Sequence, residues 1–84
     1  VLRSANDQAA LIAGVASGVI DAVCSDHTPH ALADKRLPFA QAACGTESLH
    51  LLRSGLIALV EQGAISESRA CQAVSTAPAQ ILKL

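Results

Sequence analysis

Aromatic side chains are nearly absent from this sequence of 84 residues, since Phe39 is the single aromatic residue and Trp, Tyr and Met do not occur. Aromatic residues supply much of the buried area in most small domains. A core would therefore have to be built from aliphatic side chains, which dominate the 51% hydrophobic content. A chain this short also buries only about 60 to 65% of the surface that its unfolded form exposes. We expect a piece of a larger α/β protein, whose strands and helix faces are covered on several sides.

Charge clusters and long hydrophobic runs are also missing. Six basic and seven acidic residues give a net charge of -1 and are not grouped by sign. This distribution predicts that the chain binds no nucleic acid and no anionic membrane surface. The longest uncharged stretches, residues 8–20 and 70–82, are shorter than the roughly 18 apolar residues that a membrane span requires. No transmembrane segment is predicted.

The sequence has no C-x-x-C pair, because its three cysteines are widely spaced (Cys24, Cys44 and Cys71). This spacing excludes a zinc ribbon or a dithiol redox motif and favours reduced thiols in a cytoplasmic protein. The segment Val1–Ser4 lacks both an initiating Met and the features of a signal peptide. We therefore expect that the sequence was cut from a longer chain.

The first part of the chain predicts a helix followed by a strand. Ser4 and Asp7 form a capping box, and Gly18 is suited to a left-handed C-cap, which places a helix at residues 5–17. The β-branched run that follows predicts a buried strand at residues 19–24. The next stretch has no lasting period and predicts a long, functional loop at residues 25–45.

The second part of the chain predicts helices at residues 46–61, 67–74 and 78–82. Thr46 and Ser66 are the predicted N-caps of the first two. The chain is thus mostly helical with one strand. Since a single strand cannot form a sheet, we expect it to pair with strands outside these residues, as in the last βα unit of a larger α/β fold.

One polar cluster, Asp26, His27 and His30, follows the predicted strand directly. The carboxyl ends of strands are where α/β folds carry their chemistry. Asp26 could bind a metal or accept a proton, and the histidines could bind a metal or a carboxylate. Solvated or capping roles remain an alternative. Cys44 could be a nucleophile, although a small loop filler is the simpler interpretation.

Several motifs resemble the C-terminal segment of a type I dihydroorotase of the amidohydrolase superfamily. They are S-D-H-T-P-H at residues 25–30, Lys35 followed by L-P-F at residues 37–39, and S-T-A-P-A-Q-I-L at residues 75–82. The resemblance implies a (β/α)8 TIM barrel. In that fold, residues 1–84 are the last βα unit plus the C-terminal helices, and residues 19–24 are strand eight.

The same resemblance implies a zinc enzyme of pyrimidine biosynthesis that interconverts N-carbamoyl-L-aspartate and dihydroorotate. It makes Asp26 a zinc ligand and the general base, His30 the contact to the substrate carboxylate, and Cys44 and Gly45 contacts to the substrate ring. One or two zinc ions are expected per full-length subunit. Their other ligands would come from the remainder of the barrel, so residues 1–84 alone are expected to be inactive.

Two departures from the family pattern leave alternatives open. The stretch at residues 43–49 is shorter than the corresponding family run, and Cys44 stands where Phe or Pro is common. One alternative is an inactive dihydroorotase-like structural partner of aspartate carbamoyltransferase. Another is a cyclic amidohydrolase of the hydantoinase or allantoinase type. The sequence leaves open whether the protein forms a homo-oligomer.

Overall fold

A computed structural model describes residues 2–84 and shows a mostly helical chain. Val1, the first residue of the predicted 1–84 segment, lies outside the described residues. The helices are α1 (Ala5–Ser17), α2 (Leu32–Lys35), α3 (Leu51–Glu61), α4 (Glu67–Cys71) and α5 (Ala77–Ile81), and one π-helical turn, Gln72–Thr76, joins α4 to α5. None of these helices is long and apolar enough to cross a membrane.

Helix α1 has the bounds that its capping residues predict. Its first turn is capped by Ser4, whose Oγ accepts a hydrogen bond from the Asp7 amide at 3.2 Å. Gly18 ends the helix in the left-handed region, at φ 84°. The chain then folds back over the last turn, where the Ile20 amide donates to the Gly14 carbonyl at 3.0 Å.

Within the part of the chain that the structure describes, the predicted strand at residues 19–24 has no partner strand, and no ladder forms there. Four of its backbone groups bind helices instead, namely the Ile20 amide, the carbonyls of Ile20 and Asp21, and the Val23 amide. The Ile20 carbonyl accepts from the Arg69 guanidinium at 2.5 Å, and the Val23 amide donates to the Ala73 carbonyl at 2.9 Å. A strand needs a neighbouring strand for its remaining groups, and residues 2–84 contain only an isolated parallel bridge between His27 and Thr46.

The second predicted helix begins later than the sequence indicates, at Leu51 instead of residue 46. Thr46 cannot cap it, because the Thr46 carbonyl accepts a hydrogen bond from the Thr28 amide at 2.9 Å and pairs with the preceding segment. The loop consequently extends from residue 25 to residue 50. It also contains the short helix α2, which the sequence pattern did not predict.

The last two predicted helices, at 67–74 and 78–82, are one continuous helical run from α4 to α5. Proline inside a helix donates no hydrogen bond and crowds the preceding turn, and Pro78 lies just after the π-helical turn. In that turn the Ala77 amide bonds to the Gln72 carbonyl, one residue further back than in an α-helix. The Ala73 carbonyl is thereby released, and it accepts the Val23 amide.

The buried core of the described residues is very small. It consists of Ile65, Ala70 and Ala73, which are 5%, 7% and 0% exposed. Arg69 adds a polar connection from α4, since its guanidinium donates to the carbonyls of Val15 at 2.7 Å, Ile20 at 2.5 Å and Asp21 at 3.2 Å. Many large apolar side chains stay exposed, with Phe39 at 100%. Packing among residues 2–84 thus buries only part of their apolar surface.

Candidate functional site

The sequence-predicted site residues all lie in the loop of residues 25–50, which we call the site loop. It follows residues 19–24 and leads into α3. The parallel bridge between His27 and Thr46 brings its first and last parts together. Residues that are about twenty positions apart in sequence therefore share one small region.

Asp26 occupies a turn with left-handed backbone geometry, at φ 47°. Asp is among the few residue types that tolerate this region. The Thr28 hydroxyl stabilises the turn by donating to the Asp26 carbonyl at 3.0 Å. The Asp26 side chain is exposed, and the structure gives its carboxylate no hydrogen-bond partner within residues 2–84. The carboxylate is thus available to a ligand or a proton.

Both neighbours of Asp26 are hydrogen-bonded to residues that lie just before α3. The Nδ1 atom of His27 accepts hydrogen bonds from the backbone amides of Ser48 and Leu49, both at 3.0 Å. An accepting Nδ1 places the proton of the neutral ring on Nε2. On the other side, the Ser48 hydroxyl donates to the Ser25 carbonyl at 2.5 Å. These bonds hold the Ser25 carbonyl on one side of Asp26 and the His27 ring on the other.

Three consecutive carbonyls of the site loop are bound by side chains from the region of α2. His30 Nε2 lies 2.7 Å from the Cys44 carbonyl oxygen. The Lys35 ammonium donates to the Ala43 carbonyl at 2.7 Å and to the Gly45 carbonyl at 2.8 Å. His30 and Cys44, assigned separately by the resemblance, are therefore in direct contact.

Gly45 is required by the geometry of the site loop. Its φ is 122°, which side chains of L residues disfavour, and a Cβ there would lie 2.7 Å from the Thr28 carbonyl oxygen. The close approach lets the loop pass beside the 26–28 turn. Hence Gly45 packs against the turn that contains Asp26. The need for glycine at this position is explained by that packing, without any ligand.

Comparison with known proteins found no matching family model. The chain is 39% identical over 83 residues to the dihydroorotase of Anaeromyxobacter dehalogenans strain 2CP-C, a match that covers 99% of the chain and 19% of that protein. Dihydroorotases from Pelobacter propionicus and Chlorobaculum tepidum are 41% and 40% identical, again over 99% of the chain. Over 99% of its length the chain is thus similar to a part of these dihydroorotases. It spans about a fifth of the length of these relatives.

The described residues do not form a complete metal site of a dihydroorotase-like chain. No group of three or more His, Cys, Asp or Glu side chains within residues 2–84 could hold a metal ion. A catalytic zinc ion takes about three protein ligands. The unpartnered Asp26 carboxylate suits a single ligand of such a site, whereas the Nδ1 atom of His27 is engaged with backbone amides.

Two residues that carry the site geometry were not assigned a role from the sequence. Lys35 belongs to a motif that resembles one of dihydroorotases, but its two carbonyl partners lie 8 and 10 residues away, and local sequence does not reveal them. Ser48 looked like an ordinary helix residue, yet its hydroxyl and amide bind the segment around Asp26. These contacts depend on the return of the chain from residue 46 to residue 27.

Proposed function

We propose that this chain forms part of the active site of a dihydroorotase, which interconverts dihydroorotate and N-carbamoyl-L-aspartate. One observation supports this most strongly. In a segment similar to dihydroorotases along 99% of its length, a turn bound on both sides presents the free Asp26 carboxylate. A carboxylate of this kind can shuttle a proton between water and a departing ring nitrogen.

In this proposal Asp26 is the general base and one ligand of zinc. The other ligands would come from residues outside these 84, in the remainder of a (β/α)8 barrel. Zinc, when bound, would polarise the ring carbonyl as a Lewis acid. Asp26 would accept a proton from the attacking water and return it to the ring nitrogen as the amide bond breaks. The position of Asp26 in a left-handed turn, at φ 47°, supports a specialised role for this residue.

We propose that His30 binds the substrate carboxylate as an imidazolium ion. Its Nε2 is 2.7 Å from the Cys44 carbonyl oxygen, so that nitrogen donates to the loop. A neutral ring would then offer the substrate only the lone pair of Nδ1, which repels a carboxylate. A doubly protonated ring donates from Nε2 to Cys44 and from Nδ1 to the substrate. Gly45 and Cys44 would contact the ring of the substrate through their backbone.

The unsatisfied surface of the chain supports its placement in a barrel. Residues 19–24 belong to no helix and have backbone groups without partners within residues 2–84, which supports our proposal that they form strand eight. Only three side chains of the described part are buried. Neighbouring barrel elements would cover much of the remaining apolar surface. We further propose a cytoplasmic enzyme of pyrimidine biosynthesis.

The test is made on the complete protein that contains residues 1–84. We expect zinc-dependent turnover of dihydroorotate and N-carbamoyl-L-aspartate. The substitution Asp26→Asn should lower kcat by about 100-fold to 10,000-fold, because it removes the base while keeping the shape of the side chain. Asp34→Asn is the matched control and should retain parental activity. Activity of Asp26→Asn within about tenfold of the parent would contradict the proposed mechanism.

The same assay distinguishes the alternatives. A metal-free complete protein without turnover that co-elutes with aspartate carbamoyltransferase would indicate the inactive structural partner. Turnover of hydantoins or allantoin in place of dihydroorotate would indicate another cyclic amidohydrolase. In that case a substrate carboxylate would not be needed, and His30→Ala would affect carboxylated and uncarboxylated ring substrates equally.

A further inference from the structure

We infer that Lys35 is a positioning residue that orients the backbone amides of the site loop toward the substrate ring. This inference rests on the proposed function. Lys35 lies at the end of α2, and its ammonium donates to the Ala43 carbonyl at 2.7 Å and the Gly45 carbonyl at 2.8 Å. Both partners of the ammonium are backbone carbonyls, and neither is a carboxylate. The side chain therefore acts on the conformation of the loop.

Planarity of the peptide bond converts these two contacts into control of amide directions. In a trans peptide the carbonyl and the following amide point in opposite directions. Binding the Ala43 carbonyl thus directs the Cys44 amide away from Lys35. Binding the Gly45 carbonyl does the same for the Thr46 amide. His30 has the equivalent effect on the Gly45 amide through the Cys44 carbonyl.

The amides directed in this way are available as donors. Within the part of the chain that the structure describes, the Ala43 amide donates to the Asp34 carbonyl at 3.0 Å, whereas no acceptor is found for the amides of Cys44 and Gly45. A cyclic amide or imide presents carbonyl oxygens around its ring, and unpaired backbone amides suit such acceptors. Dihydroorotate has this arrangement of oxygens. Lys35 and His30 together thus prepare the donors before substrate arrives.

Lys35 is the one side chain that binds two carbonyls of this stretch, on either side of Cys44. Gly45 has a wide conformational range, and its φ of 122° is one of several accessible values for glycine. The side chain of Cys44 is exposed and does not anchor the loop in a core. Without the ammonium, the Ala43 and Gly45 carbonyls would lose their shared donor. Peptides 43–46 would then sample orientations in which their amides do not point toward the substrate ring.

The experiment uses the complete protein and compares Lys35→Met with Arg36→Met. Both positions are exposed and adjacent, but the Arg36 side chain has no hydrogen bond within residues 2–84. Steady-state kinetics with dihydroorotate and amide hydrogen exchange at residues 44–46 are measured on each variant. Lys35→Arg is the second variant, because it keeps the charge and changes the shape of the donor.

We expect Lys35→Met to raise KM about tenfold or more while kcat changes less than threefold. The variant loses contacts that bind substrate and transition state equally, whereas the proton transfer at Asp26 is unaffected. Exchange at residues 44–46 should accelerate, and Arg36→Met should change neither quantity. Lys35→Arg should give an intermediate KM. An unchanged KM in Lys35→Met would overturn the inference, even if exchange accelerates, because Lys35 would then be structural only.

Failure of the proposed function gives a different result. If the parental complete protein does not turn over dihydroorotate in either direction, the proposed function fails and the inference about its substrate fails with it. If the parent is active and Lys35→Met retains its KM, only the inference about Lys35 fails. A fall in kcat with constant KM would also overturn it, because Lys35 would then act on the chemical step.

Discussion

The site loop and the helical part of this chain are stabilised by different interactions. In the site loop, side chains such as His27 and Lys35 bind backbone groups, and no residue there is buried. In the helical part, Ala70 and Ala73 are buried and Arg69 connects three segments. The hydrogen bonds of the site loop are exposed, whereas those from Arg69 to Val15 and Ile20 are part-buried, where a hydrogen bond is electrostatically stronger. A polar substitution in the loop should thus affect ligand binding first, and one in the helices should affect unfolding first.

The largest effect on stability is expected at Arg69. Its half-buried guanidinium joins α4 to the end of α1 and to residues 20 and 21. We expect Arg69→Met to lower the free energy of unfolding by about 2 to 4 kcal/mol, since bonds from a charged donor are lost and carbonyls are left unpaired. Urea denaturation of the complete protein measures the change.

Arg69→Lys serves as the control for charge. A single ammonium cannot reproduce the planar set of donors that reaches three carbonyls, so lysine should recover less than half of the loss. Full recovery by lysine, or no loss in Arg69→Met, would show that the helical part does not depend on this connection.

A smaller effect is expected at Gly45, where the comparison with Gly55 is informative. Alanine at Gly45 would require a φ of 122° and place its Cβ 2.7 Å from the Thr28 carbonyl oxygen. We expect Gly45→Ala to cost about 1 to 3 kcal/mol of local strain and to raise KM for the ring substrate. Gly55 lies inside α3 with no atom within 4 Å of an added Cβ.

Gly55→Ala is therefore expected to stabilise the protein by about 0.5 to 1 kcal/mol without a change in KM. Thermal unfolding and steady-state kinetics on both variants check the pair. If the two substitutions had the same effect on KM, the site loop would not depend on its approach to Thr28.

The smallest and most local effect is expected at His27. His27→Ala removes the acceptor shared by the amides of Ser48 and Leu49, so their hydrogen exchange should accelerate by about tenfold while global stability changes little. His27→Asn should retain slow exchange, because its side-chain oxygen can replace Nδ1 as the acceptor. Equal exchange rates in parent and His27→Ala would mean that these amides are protected by other contacts.

The helices were more predictable from sequence than the strand or the loop. The range of α1 followed from Ser4 and Gly18, because caps act within a few residues. The predicted strand at 19–24 lacks a ladder, since β pairing depends on partners distant in sequence. Thr46 was assigned to a cap although it pairs with the segment at 27 and 28. Local propensity could not reveal that competition.

The candidate site was predictable in its residue types and not in its construction. The cluster Asp26, His27 and His30 was evident from spacing alone. The roles of Lys35 and Ser48 were not, because their partners lie 8 to 23 residues away. The π-helical turn was also missed, as its signal was limited to a proline that is equally compatible with a new helix.

The sequence by itself determined that the chain is mostly helical, where α1 begins and ends, and that it is similar to dihydroorotases. These properties depend on side chains acting on their immediate neighbours. The tertiary structure decided that the site loop returns to pair Thr46 with His27, that Lys35 binds the carbonyls around Cys44, and that Val23 bonds to the π-helical turn. Each of these contacts joins segments that are distant in sequence. They contribute to stability only once the chain has folded and brought those segments together.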